Sequence, residues 1–250
     1  MSEIETRRPK PDPLRRGCAL DILLLTIACG IAFFTGLTAH GLTNWQESQR
    51  ALVAREMQAA GEWLVPTINQ QPYLAKPPLF YWVQLAIAKA RGAATGEFEL
   101  RLAVALAGLL GVLATYVVVR DICSSRDESP LMRRIAREAA LWSALFLATG
   151  PLYIRSARIG ELDIWLVPFV VIAVGGIARA WRAWRADGRT DYAALAVATI
   201  AGIGAALRAG DHLTTANTPS ISLKGVSTGF PITSRAVPGR RCSTGFLNGR

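Results

Sequence analysis

Long uncharged apolar blocks constrain this chain more than any other feature. Residues 19–41 contain one charged side chain, Asp21, near their start. A helix rises about 1.5 Å per residue, so the block can cross a hydrocarbon layer of about 30 Å. Further apolar blocks cover 102–119, 139–153, 164–178 and 192–207. The chain therefore reads as an all-α polytopic membrane protein with about five transmembrane helices. Hydrophobic residues make up 51% and charged residues 18%, which excludes a disordered chain. The first block is too long for a signal-peptide core of about 7–15 residues and lacks a small-residue cleavage site, so it reads as a retained span. A net charge of +10 raises nucleic acid as a partner. The arginines cluster beside the spans, however, where anchoring on the cytoplasmic side accounts for them, and no nucleic acid is expected. Cys18, Cys29, Cys123 and Cys242 show no paired spacing, so no disulfide framework or zinc site follows.

Charge parity orders the blocks. Residues 1–18 form a basic tail with Arg7, Arg8, Lys10, Arg15 and Arg16, which the positive-inside rule places in the cytoplasm. The segment after 102–119 holds Arg120, Arg126, Arg133, Arg134 and Arg137 and belongs on the same side. A single crossing must then separate the polar outer loop, 43–101, from Arg120. Residues 79–90 would reach only about 18 Å as a helix, too short to span. They are expected to lie flat in the outer interface, with Tyr81 and Trp82 at headgroup level; a short tilted span is the alternative. By alternation 139–153 runs outward, 155–163 is an outer loop, 164–178 returns, and 192–207 runs outward again. Residues 208–250 are rich in Ser, Thr, Gly, Pro and Arg without an apolar block, and read as a disordered or non-native tail outside the 19–207 transmembrane module.

Three features of the outer side can carry chemistry. Residues 46–57, QESQRALVAREM, favour a helix with Val53, Met57 and Ala60 on one stripe, and Glu47 and Arg50 three apart. A plain interfacial helix with a solvated charged face also fits. In residues 61–82 Pro66, Pro72, Pro77 and Pro78 forbid a continuous helix. Pro77 pushes Lys76 out of the α region, and the double proline starts the next helix. Lys76 is thus held in a stiff extended segment, suited to meeting a lipid phosphate or simply snorkelling to headgroups. Asp163 stands where an outer loop meets a span, as a functional carboxylate or as a helix N-cap.

The run 54–82, AREMQAAGEWLVPTINQQPYLAKPPLFYW, resembles polytopic glycosyltransferases that use polyprenyl-phosphate sugars: the aminoarabinose transferases of lipid A and, more distantly, the protein O-mannosyltransferases. Arg101-Leu102 and Leu162-Asp163 fall where that family has RL and LD. The resemblance implies a GT-C fold with membrane-parallel helices in the first outer loop, and a bacterial inner-membrane location with a cytoplasmic N-terminus. It implies transfer of a sugar from a polyprenyl-phosphate donor to a lipid or protein acceptor on the extracytoplasmic face, among membrane lipids and without a cofactor. By the same resemblance Lys76 contacts the donor phosphate, Arg55 and Asp163 join it in binding substrate, and Glu47 is the catalytic base or acceptor-orienting group.

The chain also departs from the family pattern. Gln46 replaces the first member of the acidic pair, and an amide is no general base. Gln49 stands for an arginine. Ala75 replaces the acid often found before the lysine, so no metal is expected. Family members run to about twice this length. The alternative is therefore an inactive truncated fragment or a lipid-phosphate-binding membrane scaffold.

Overall fold

The computed structural model describes residues 13–39, 41–42, 44–74, 76, 78–124 and 129–209. The basic tail up to residue 12 and the expected tail beyond 209 lie outside the described residues, as does Ala75. The described chain is almost wholly helical, with one two-stranded hairpin.

Helix α1, Pro13–Phe34, opens on a proline, whose missing N–H costs nothing at a helix start. Its Asp21 is 1% exposed. Arg137 donates to both carboxylate oxygens at 2.6 Å, and the Tyr116 hydroxyl donates at 2.9 Å. These contacts bring the start of α1, the end of α4 (Glu97–Cys123) and the first half of α5 (Pro130–Thr149) to one end of the bundle. At the other end Arg101, one turn into α4, donates to Leu37 O at 2.7 Å and Gly41 O at 3.2 Å, just past α1. Helices α1 and α4 are therefore antiparallel. The loop after α1 and Arg120 therefore lie at opposite ends of the bundle.

Helix α4 is the central mast. Alanines 136, 140, 144 and 148 form the buried stripe of α5, the spacing that lets backbones approach closely in apolar surroundings. Gly108 and Gly111 do the same for α6, Pro151–Arg158. A Cβ at Gly108 would sit 2.9 Å from Ala157 Cβ, and one at Gly111 would collide with the Tyr153 hydroxyl. That hydroxyl donates to Gly108 O at 2.7 Å.

The expected continuous span 139–153 is corrected here. The helix ends at Thr149, Gly150 is extended, and Pro151 opens α6, which fills much of the expected outer loop. Proline lacks the N–H and disfavours the α region in the residue before it, which hydropathy alone overlooks. A 3-10 turn, Leu162–Trp165, leads into α7, Leu166–Asp187. Helix α8, Tyr192–Ala209, packs back on α7, where a Cβ at Gly176 would meet Ala194 O at 2.7 Å. Arg179 and Arg182 reach Asp121 at the end of α4, and Arg179 reaches Asp191 before α8. These arginines gather at the same end as Arg137. Among the described residues three helical stretches are long and apolar enough to cross a membrane, Gly17–Phe34, Glu97–Cys123 and Leu162–Asp187. The apolar part of α8, Tyr192–Ala206, is shorter, and α5 carries Arg133, Arg134, Arg137 and Glu138 in its first half.

Candidate functional site

The loop between α1 and α4 builds a module at the end of the mast where α4 begins. Asn44 caps α2, Trp45–Ala60, accepting from Gln46 N at 3.1 Å. Gly61 ends it in the left-handed conformation at φ 70°. Of the expected stripe, Val53 and Met57 are buried and Ala60 is exposed.

The proline-rich stretch contains a feature the sequence reading missed. Thr67–Ile68 (β1) and Gln71–Pro72 (β2) pair as an antiparallel hairpin. Asn69 and Gln70 make its turn, both with positive φ, the conformation of the tight hairpin turns that match strand twist. The Glu56 carboxylate of the AREM run receives both turn amides, at 2.7 and 3.2 Å. An asparagine at the first turn position was the available signal; the short strands hid it.

Pro78 then stands at the N-cap of α3, Leu79–Arg91. Both ends of α3 are tied to the α2 side of the module. The Trp82 indole donates to Trp63 O, and Gln58 bonds Ala93 O at 3.0 Å and Thr95 N at 2.6 Å. Helix α3 therefore belongs to the loop module. The headgroup placement of Tyr81 is corrected: Tyr81 is fully buried, with Phe80, Gln84, Leu85 and Ala88 on the inward face, while Trp82 is 37% exposed. Helical period, not aromatic character, decides which of two adjacent rings faces the core.

The sequence-predicted residues fall in different settings. Lys76 is half-buried between the hairpin and α3. Arg55 is exposed on α2. Asp163 is exposed within the 3-10 turn, while the N-cap position of α7 is Trp165.

Glu47 is 1% exposed. Its carboxylate receives the Gly160 amide at 2.7 Å and two guanidinium nitrogens of Arg101 at 3.4 Å. Arg50 donates to the Gly160 carbonyl and, at 3.4 Å, to Gln46. Both backbone groups of Gly160 are thus held by the first two turns of α2. Three residues further on lies Asp163, so the structure links Glu47 to the Asp163 loop. Arg101, which the sequence offered only as half of a weak RL match, is the hub of this cluster. It also bonds Glu97, Leu37 O and Gly41 O. A base or acceptor-orienting group needs an oxygen open to the acceptor. The Glu47 carboxylate is enclosed, and its geometry suits holding the loop. Gln46, beside it, is exposed.

Comparison with known proteins places this arrangement. Residues 75–209 match the family model for dolichyl-phosphate-mannose-protein mannosyltransferases. The chain is 35% identical over 108 residues to an undecaprenyl phosphate-alpha-4-amino-4-deoxy-L-arabinose arabinosyl transferase of Pseudomonas fluorescens, covering 42% of this chain and 18% of that enzyme. It is 29% identical over 152 residues to an uncharacterized protein of Aquifex aeolicus, covering 61% of this chain and 28% of that protein. The chain thus spans less than a third of the curated relatives it matches. In fold it is similar to ArnT from Cupriavidus metallidurans bound to undecaprenyl phosphate, with a TM-score of 0.59 and 23% identity over 77% of this chain and 32% of that one. It is also similar to the archaeal oligosaccharyltransferase AglB from Archaeoglobus fulgidus, in complex with an inhibitory peptide and a dolichol-phosphate, with a TM-score of 0.58 and 16% identity over 79% and 24%. The fold is that of the GT-C glycosyltransferases. With its family match covering more than half of the sequence, the chain belongs to the dolichyl-phosphate-mannose-protein mannosyltransferase family.

Proposed function

We propose that this chain forms the lipid-phosphate-binding module of a glycosyltransferase, which moves a sugar from a polyprenyl-phosphate donor to a lipid or protein acceptor on the extracytoplasmic face. In that reaction an acceptor oxygen attacks the anomeric carbon. The bond from that carbon to the phosphate oxygen breaks, polyprenyl phosphate leaves, and the acceptor proton passes to a base. Negative charge grows on the departing phosphate, so a fixed cation there stabilises the transition state more than the ground state. Lys76 fills that role. Arg55 and Asp163 complete substrate binding, and Glu47 positions the Asp163 loop.

The observation that carries the reading is the built setting of Lys76. It is half-buried between a hairpin whose turn is bonded to Glu56 and a helix that begins at Pro78, inside the family match. A phosphate-binding cation set between two ordered elements needs less ordering when the ligand binds. The test is undecaprenyl-phosphate binding to the purified chain in nanodiscs. Lys76→Ala is expected to weaken it at least tenfold, in line with about 1.5–3 kcal/mol for a charge-assisted bond. Unchanged affinity rejects the assignment.

A second reading, a binding scaffold without transfer activity, is favoured by the first turn of α2. There the exposed position carries the amide Gln46 and the acid Glu47 is enclosed. Binding without turnover, restored to turnover by Gln46→Asp, supports it; turnover by the unaltered chain excludes it.

A further inference from the structure

The geometry points to Arg101, acting through Glu47, as the positioning residue of this site. Its buried guanidinium clasps the Gly160 loop to α2 and thereby sets where Asp163 stands relative to the lipid-phosphate module. The inference rests on the reading just proposed for that module.

The clasp joins segments far apart in the chain. Arg101 lies within α4, and its side chain is 8% exposed. It holds the segment after α1 through Leu37 O and Gly41 O, and α2 through Glu47. Glu47 passes the hold to the Gly160 amide at 2.7 Å, and Arg50 closes on the Gly160 carbonyl. The loop turns sharply there, with Glu161 N donating to Ile159 O at 2.5 Å. On its other side Arg158 donates to Ala32 O at 3.1 Å and Thr35 O at 2.9 Å. The loop is therefore fixed from α1, α2 and α4 together, and the 3-10 turn carrying Asp163 starts two residues after Gly160. Glycine is required for this approach: a Cβ at 160 would collide with Leu100 and lie 3.1 Å from Glu47 Cγ.

The guanidinium fork is what the clasp needs. Its nitrogens reach carbonyls and carboxylates in several directions at once, and a lysine ammonium on a flexible stem does not reproduce that planar set. Glu47→Gln keeps an oxygen for the Gly160 amide but removes the charge that faces Arg101.

The test uses the full chain in nanodiscs and reads three quantities: melting midpoint, hydrogen exchange of peptides covering 156–164, and undecaprenyl-phosphate affinity. Arg101→Lys and Glu47→Gln are expected to raise exchange in 156–164 at least tenfold and to weaken affinity about fivefold or more. The midpoint is expected to fall, because the altered pair is buried, so exchange and affinity are compared at a temperature where each variant is fully folded. A double-variant cycle with Asp163→Asn is expected to be non-additive in affinity, because the clasp acts through the loop that bears Asp163; a role in folding alone does not move that coupling. Unchanged exchange in 156–164 overturns the proposal. So does raised exchange with unaltered affinity in a protein where Lys76→Ala does weaken binding. If the unaltered chain binds no undecaprenyl phosphate, the lipid-phosphate reading fails, and the exchange of 156–164 alone decides the clasp. Should Arg101→Lys fail to fold, Glu47→Gln carries the same comparison.

Discussion

Position 160 leaves no room for a side chain. Gly160→Ala must push Leu100 or Glu47 aside, and forced overpacking costs about 1–3 kcal/mol. A lowered thermal midpoint is the expected result; a midpoint equal to that of the parent contradicts the packing described. Glu56 gives a second check. Its carboxylate receives two turn amides, so Glu56→Ala should cost about 1–3 kcal/mol and raise exchange at Asn69 and Gln70. Unaltered exchange at those amides would show that the turn stands without it. The acid of AREM thus has a physical role: it secures the hairpin that leads to Lys76. Residue identity told of Glu47 and Lys76 as groups capable of chemistry. It could not tell that one is enclosed and the other half-buried, because burial is a property of neighbours brought in by the fold.

At the scale of elements, breaks matter as much as spans. Pro151 divides what hydropathy reads as one block, and the resulting α6 carries Tyr153 onto α4 and Arg158 onto α1. The start of α8 is set by Asp191. The Ala194 amide, and beyond it Arg179, hold its carboxyl below the ordinary Asp value of 3.8, against the opposing pull of desolvation. A depressed folded value means that the cap contributes fully above 3.8 and is lost as pH falls through that lower value. Protection of the Ala194 amide is expected to persist at pH 4 and to fall in more acid solution, while amides in the middle of α8 keep theirs. Loss of protection already near pH 5 would refute the cap. The double proline and Gly92 bound α3 legibly in the sequence. The hairpin before it was not legible, since strands of two residues leave no period to detect.

Across the whole molecule, two polar clusters brace opposite ends of an apolar bundle: Asp21–Tyr116–Arg137 at one, Glu47–Arg101–Gly160 at the other. The arrangement predicts sidedness. With Cys123 and Cys242 replaced by serine, a cysteine introduced at Gln70 should label from the side opposite one at Arg134. Labelling of both from one side would remove the single crossing between them. The sequence by itself determined where the apolar blocks lie, where prolines interrupt the chain before Lys76, and the family. These follow from hydropathy, charge and local backbone preference, which are written residue by residue. The tertiary structure alone decided that Asp21 meets Arg137, 116 residues away, that Arg101 meets Glu47 across 54, and that Tyr81 faces inward while Trp82 does not. Such pairings depend on which helix faces approach one another, and local preference does not fix that approach.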